Sequence, residues 1–130
     1  MPFSEVRSSK LFNSPAPFSM ATVTQSARLM HISGQVAQDA AGKTVGPGDI
    51  EKQTVQVIEN IKTLVTEQGG SLNDICKITI FLISRDHLPV VMDVRRKYFQ
   101  RPYPATSAVI VVGLANPEWM IEIDALAALK

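Results

Sequence analysis

Glu122 is the residue whose type and setting best suit acid–base chemistry. It stands between Ile121 and Ile123 in an apolar segment near the C-terminus. If that segment is a strand with an apolar face, Glu122 is partly shielded from water, and desolvation raises the pKa of a carboxylate toward the range used in catalysis. The competing interpretation makes Glu122 and Asp124 a hydrated edge pair or partners of basic residues, and residue types alone slightly favour it.

The pair Ser33 and Gly34 is a second candidate, because it ends an apolar segment that begins near His31. A hydroxyl beside a residue without a side chain lets a ligand approach the backbone closely, although Ser-Gly pairs more often only turn the chain. His31 and His87 are far apart, and neither has the spacing of metal ligands. The sequence also lacks a Gly-rich phosphate loop, a nucleophile elbow and a Cys/His cluster, so no metal site is predicted.

Composition limits the classes of partner. The 130 residues, of which 45% are hydrophobic, suffice for one domain with its own core, predicted to span residues 1–130. The 13 basic and 12 acidic residues leave a net charge of +1, and no basic groove with interleaved aromatic residues is visible, which argues against nucleic acid as a ligand. The short run Arg95-Arg96-Lys97 is interpreted as the solvated face of a helix.

The cysteine content and the N-terminus bear on location. The single cysteine, Cys76, cannot form an internal disulfide and lies in a predicted buried strand, so it is interpreted as a core thiol. The N-terminus carries no basic patch followed by an apolar stretch, and apolar runs such as Ala108 to Val112 are too short to span a bilayer. We therefore expect a cytoplasmic protein.

Hydrophobic periodicity predicts an α+β fold around these residues. Apolar residues at helical spacing predict one helix between Asp49 and the pair Gly69-Gly70, and a second that opens at Asp86. Residues up to about Pro17 are expected to be extended or irregular, and a polar turn is expected at residues 24–26. The predicted strands are Ala21 to Val23, Arg28 to Ser33, Gln35 to Val45 with a loop inside it, Cys76 to Ile83, Thr106 to Val112 and Trp119 to Leu126. This order matches a split βαβ arrangement in which two helices cover one face of a mixed sheet.

The last predicted strand also suggests how the sheet is covered. Ile121 and Ile123 point to one face, whereas Glu122 and Asp124 point to the other. If the bulky apolar set lies under the helices, the second face, together with that of Thr106 to Val112, is still too apolar to face water alone. Burial against another copy of the chain solves this problem, so we predict a homo-oligomer.

Taken together, the sequence resembles the Rid/YjgF family of reactive-intermediate deaminases over nearly its whole length. Each segment alone is ordinary, whereas the combination is fairly specific. The segments that carry the resemblance are Ala16-Pro-Phe, Ile32-Ser-Gly-Gln, Gln53 to Glu67 with Glu59-Asn60, Gly70 to Leu82, Tyr98-Phe99, Tyr103-Pro-Ala-Thr-Ser-Ala-Val with Leu114, and Ile121-Glu-Ile-Asp-Ala-Leu-Ala.

The resemblance implies a chorismate-mutase-like fold and a homotrimer whose sheets pack inward as a central barrel, with ligand clefts between subunits. It also implies hydrolysis of enamine or imine products of pyridoxal-phosphate enzymes to a keto acid and ammonia, without a metal or organic cofactor. In this family the counterpart of Glu122 orients or protonates through a water. Ser33 and Gly34 are retained, and backbone groups near Gly34 and Ala108 would bind a substrate oxygen or nitrogen.

The sequence departs from the family pattern at the substrate-binding positions. Thr106 stands where the family carries an arginine that holds the substrate carboxylate through a bidentate contact. Phe18 stands for a tyrosine, Ala108 for a common cysteine and Met92 for a frequent asparagine. Loss of the charged clamp costs about 2 to 5 kcal/mol of carboxylate binding. We therefore expect a different or uncharged substrate, or an arginine from another subunit, with Arg7, Arg28 and Arg101 as the candidates.

Three functions remain open on this basis. The first is a cofactor-independent deaminase that hydrolyses small enamines or imines through Glu122. The second is a non-catalytic trimer that holds a small metabolite or a partner protein in the same clefts, suggested by the replacements at Thr106, Phe18 and Ala108. The third is an endoribonuclease, which the near-neutral charge disfavours most.

Overall fold

The computed structural model describes residues 2–10, 12–25 and 28–130. Within these residues lie six strands and two α-helices. In chain order they are β1 (Phe3–Val6), β2 (Ala21–Thr24), β3 (Arg28–Gln35), α1 (Ile50–Glu67), β4 (Ile75–Leu82), α2 (Leu88–Tyr98), β5 (Ala105–Ile110) and β6 (Ile121–Leu129). Short 3-10 turns at Leu72–Asp74 and Arg85–His87 precede β4 and α2.

The main sheet has the strand order β3-β6-β4-β5. The β4–β5 pair is parallel and the other two pairs are antiparallel, so the sheet is mixed. Apolar residues of α1 and α2, including Val57, Ile61 and Val91, pack in one core with Ile78 and Ile80 of β4. The predicted α+β fold, with two helices on one face of a mixed sheet, is confirmed. Strands β1 and β2 pair separately as an antiparallel ribbon.

Helix α1 forms where its end signals predict it. The Asp49 side chain caps the first turn by accepting a hydrogen bond from the Lys52 backbone N–H at 3.0 Å. Gly69 follows the helix with φ of +83°, a conformation that costs glycine little. The 18-residue helix therefore has a defined start and stop, and its apolar residues pack against the sheet.

Strand β6 shows the predicted alternation. Ile121 and Ile123 are buried beneath the helices, whereas Glu122 and Asp124 are half-buried on the opposite face, which we call the open face. One end of the open face is covered, because Phe3 of β1 packs against Cys76 and Ala128. Burial raises the pKa of the Cys76 thiol, and its interpretation as a core thiol is confirmed.

Several boundaries differ from the prediction. The segment up to Pro17 was predicted to be extended or irregular, but β1 forms because Phe3 is buried. In the segment from Gln35 to Val45, the loop predicted at Asp39 to Lys43 forms, closed by backbone hydrogen bonds to the Asp39 carboxylate. The predicted strand around this loop is wrong beyond Gln35, because the flanking residues form only an isolated bridge between Gln38 and Thr44. Helix α2 begins after a 3-10 turn, two residues later than predicted. Ser26, in the predicted turn, lies outside the described residues. No helix among the described residues is long and apolar enough to cross a membrane.

Candidate functional site

A bulge in β3 places Gly34 against Glu122. Ile32 pairs with Ala125 and Gln35 with Ile123, so β3 contains one more residue than β6 in this stretch. A Cβ atom at Gly34 would overlap the Glu122 carboxylate, whose Cδ atom would be only 2.8 Å away. Glycine at this position therefore lets the Glu122 side chain lie across the neighbouring strand.

The Glu122 carboxylate is free to interact with water or a ligand. It accepts no hydrogen bond and forms no ion pair with any residue that the structure describes. It is half-buried on the open face, beside Phe81 of β4, while Ser33 and Gly34 are exposed at the edge of the sheet. Glu122 and Gly34 are therefore in contact, with Ser33 beside Gly34 in the bulge, and we call these three residues the carboxylate group.

Two amide side chains of α1 hold the chain segments that lead into the carboxylate group. Asn60 donates from Nδ2 to the carbonyl oxygens of Val36 and Gln38, both at 3.1 Å. Gln53 is fully buried, and its Oε1 accepts a hydrogen bond from the Met120 backbone N–H at 2.8 Å. The segment after Gly34 and the segment before Glu122 are thus both fixed to the same helix.

The other predicted residues meet at the start of β5. Ser19 pairs with Ala105 in a parallel bridge, and its backbone N–H donates to the Pro104 carbonyl at 3.2 Å. This register places Phe18 opposite Pro104, just before β5. Ala108 lies on the same strand and is exposed. We call Phe18, Thr106 and Ala108, with the arginine described next, the arginine group.

Arg95 of α2 is a member of this group that the sequence analysis missed. Its side chain is 3% exposed, so the prediction that it belongs to a solvated face is wrong, although Arg96 and Lys97 are exposed. Its Nη2 atom donates to the Pro17 carbonyl at 2.8 Å and to Thr106 Oγ1 at 3.0 Å. The missed signal was its position one helical turn after Val91, on the apolar stripe of α2.

The charge of Arg95 is poorly compensated. Within the described part of the chain it forms no ion pair, and its Nε atom is buried without a hydrogen-bond partner. Desolvation, followed by the nearby positive charge of Arg96, lowers the pKa of Arg95 to about 10. Burying a charge without a counter-charge is unfavourable, so this arrangement needs an explanation.

The carboxylate group and the arginine group do not meet within one chain. Glu122 pairs with Phe81 and shares its open face, whereas Thr106 pairs with Ile78, which is buried beneath the helices. Strand β4 also lies between β5 and β6, which separates those two strands by about 10 Å. The structure therefore presents two partial sites on opposite faces of the sheet.

The arginines considered as substitutes for the family clamp lie elsewhere. Arg7 and Arg101 both form ion pairs with Glu5, at 3.7 and 3.5 Å. They border a small cavity that Phe18 also lines. Arg28 is exposed at the start of β3. Among the described residues, no group of three or more His, Cys, Asp or Glu side chains could hold a metal ion.

The comparisons with known proteins agree with this architecture. The model of the family described as Endoribonuclease L-PSP matches residues 9–129. The chain belongs to this family, the Rid family. The crystal structure of the Rid family protein YyfB from Yersinia pestis superposes with a TM-score of 0.92 at 32% identity, covering 99% of this chain and 100% of that one. The resemblance stated from the sequence is confirmed.

Two relatives of this Rid protein carry names that specify reactions. The 3-aminoacrylate deaminase RutC of Acinetobacter baylyi is 35% identical over 112 residues, which cover 86% of each chain. The 2-iminobutanoate/2-iminopropanoate deaminase of Bos taurus is 31% identical over 111 residues, which cover 85% of this chain and 79% of the relative. One name specifies an enamine and the other specifies imines.

Proposed function

We propose that this Rid family protein is a cofactor-independent deaminase that hydrolyses a small imine or enamine in clefts between copies of the chain. The observation that carries the proposal is the half-buried Glu122 carboxylate, which has no partner among the described residues and lies against Gly34. A carboxylate held in this way can transfer protons through a bound water. The named reactions of the two relatives provide independent support.

The proposed reaction needs only water and a group that moves protons. The imine reacts in its protonated iminium form. Water adds to the iminium carbon, forming a C–O bond, while Glu122 accepts one proton from that water and then passes it to the carbinolamine nitrogen. The C–N bond breaks as the hydroxyl gives its proton to the Glu122 carboxylate and becomes a carbonyl, and ammonia leaves. Glu122 returns this last proton to the next imine. An enamine enters the same route after protonation at carbon, and no atom is oxidised or reduced.

A second copy of the chain completes the cleft in this proposal. Strand β5 is an edge of the sheet, and its Val109 and Ile110 are 41% and 45% exposed. Exposed apolar edge strands are typical of interfaces. In a homotrimer, the carboxylate group of one copy faces the arginine group of the next. The separation of the two groups within one chain supports this assembly.

A non-catalytic trimer that binds a small metabolite is the alternative. It is favoured by the apolar side chains of Phe18 and Ala108 in the arginine group, which cannot exchange protons. The two functions make different predictions for turnover. A binding protein is stabilised by its ligand in a thermal-shift assay, yet accelerates no imine or enamine hydrolysis.

Ammonia release from freshly generated imines and enamines tests the proposal. We expect the wild-type protein to exceed the spontaneous rate and Glu122→Gln to lose about 100- to 10,000-fold in kcat, because the amide cannot accept a proton. Asp124→Asn is the matched control, since Asp124 is a half-buried carboxylate on the same face of β6. It should stay within about threefold of wild type, as surface changes usually do. A wild-type rate equal to the spontaneous one for both substrate classes would sink the proposal.

A further inference from the structure

Arg95 is a buried cation that the described residues leave without a counter-charge. Its hydrogen bonds go to two neutral oxygens, those of Pro17 and Thr106. Such bonds satisfy donors but do not cancel a charge, and an apolar side chain of similar size often serves a buried position equally well. These bonds tie the segment at Pro17 and strand β5 to α2, but they leave the positive charge of Arg95 uncompensated.

Part of the guanidinium is also left without partners. Arginine offers five N–H donors in a planar fork. Only Nη2 of Arg95 makes hydrogen bonds with the described residues, and the buried Nε has none. Both protons of Nη2 are used in these bonds, so a carboxylate would accept from Nη1, which has no partner among the described residues. The unused donors and the unpaired charge thus point to the same kind of ligand.

Thr106 orients Arg95 by a hydrogen bond and has no donor of its own left for a ligand. The one proton of the Thr106 hydroxyl is donated to the Pro104 carbonyl at 3.0 Å, and its Oγ1 atom accepts from Arg95. The hydroxyl therefore has no proton left for a substrate carboxylate. Thr106 is half-buried at the start of β5, and Ala108 on the same face of the strand is exposed. Through Thr106, the guanidinium thus contacts the strand that also carries the exposed Ala108.

We propose that Arg95 binds the carboxylate of the substrate from behind Thr106. This inference rests on the proposed deaminase function and narrows its substrates to small 2-imino or 2-enamino acids. It replaces the expectation that the chain, having Thr106 in β5, either takes an uncharged substrate or borrows Arg7, Arg28 or Arg101. The positive charge is instead supplied by α2 of the same chain.

A pair of substrates that differ only in charge tests the inference. We would measure kcat/KM for a 2-imino acid and for the imine of the corresponding amide. Arg95→Met should lower the value for the acid by about 100-fold, as loss of a buried charge partner does, and the value for the amide by less than about threefold. Arg96→Met is the control, because Arg96 is the adjacent, exposed cation. Equal losses on both substrates would mean that Arg95 only supports the fold, and would overturn the inference.

A second test restores a positive charge from β5 in the protein that lacks Arg95. In the Arg95→Met protein, the additional change Thr106→Arg places a guanidinium at the other side of the same contact. We expect it to recover at least about tenfold of the lost kcat/KM for the acid, with no gain for the amide. If Arg95 has a purely structural role, Thr106→Arg should add the same acid-selective gain in the wild-type protein as in Arg95→Met, and equal gains in the two proteins would count against the inference.

A binding measurement on the wild-type protein separates this inference from the proposed function. The Arg95 side-chain Nε–H resonance would be followed by NMR during titration with 2-oxobutanoate or with its amide. We expect the acid, but not the amide, to shift this resonance. A shift in a protein without hydrolytic activity supports the anion site and refutes the deaminase. Hydrolysis of 2-imino acids without any shift overturns the inference and leaves the deaminase standing.

Discussion

Glu122 and Arg95 are both charged residues that the described chain leaves without a counter-charge, but the fold holds them in opposite ways. Glu122 is half-buried on the open face, and no described residue restrains its carboxylate by a hydrogen bond. Arg95 is a buried residue of α2 and is fixed by two neutral oxygens. The first arrangement suits proton transfer through water, and the second suits rigid binding of an anion. We therefore assign proton transfer to the open face of the sheet and anion binding to the opposite face.

Gly34→Ala should have the largest effect on the carboxylate group short of removing Glu122 itself. The new methyl group would displace the Glu122 carboxylate, and a shift of about 1 Å in a catalytic group can cost about a hundredfold in rate. Steady-state kinetics with a 2-imino acid measure this loss. Gly113→Ala is the matched control, because a Cβ there meets nothing within 4 Å. Wild-type activity in Gly34→Ala would show that the position of Glu122 does not matter.

Thr106→Val should have a smaller effect, on the arginine group alone. Valine keeps the shape of threonine but removes the oxygen that accepts from Arg95, so the guanidinium is less well oriented. We expect kcat/KM for a 2-imino acid to fall about fivefold, the order of one hydrogen bond of about 1 kcal/mol, mainly through KM. Ser107→Ala, an exposed neighbour, is the control. A fall in kcat at constant KM would place Thr106 in the chemical step instead.

Tyr98→Phe should leave activity unchanged. The carboxylate that Tyr98 contacts is that of Glu59, which belongs to neither the carboxylate group nor the arginine group. Tyr98 donates to Glu59 Oε2 at 2.7 Å, and burial, then this bond, raises the pKa of Tyr98 to about 12. Since the folded-state pKa lies above the ordinary value of 10, the stabilisation is complete below pH 10 and is lost as pH rises toward about 12. Urea unfolding should show wild type about 1 kcal/mol more stable than Tyr98→Phe at pH 8, and a smaller difference at pH 11. A constant difference across that range would contradict this assignment.

The parts of the fold that were predictable depend on local signals. The Asp49 cap and Gly69 stop of α1, and the alternation around Glu122 in β6, can be read from neighbouring residues. Strand β1 could not, because Phe3 forms its core contacts with residues near the other end of the chain. The same holds for the bulge that places Gly34 against Glu122, which depends on pairing between distant strands.

In the arginine group, residue types alone gave a wrong prediction for the burial of Arg95. A run of three basic residues is typical of a solvated helix face, and two of the three are indeed exposed. The burial of Arg95 follows from its contacts with Pro17 and Thr106, which belong to separate parts of the chain. Likewise, the placement of Thr106 and Glu122 on opposite faces follows from the registers of β4 with β5 and β6. The placement of Thr106 and Glu122 has no local sequence signal, whereas the burial of Arg95 has one in its spacing from Val91.

Subunit complementation tests most directly the central claim that each site combines the carboxylate group of one copy with the arginine group of another. Glu122→Gln and Arg95→Met chains with different tags would be co-expressed, the mixed oligomers purified through both tags, and hydrolysis of a 2-imino acid measured. Each mixed trimer holds two copies of one chain and one copy of the other, so one of its three sites pairs an intact Glu122 with an intact Arg95, and about a third of wild-type activity should return. Mixed oligomers no more active than the two parent variants would contradict the claim.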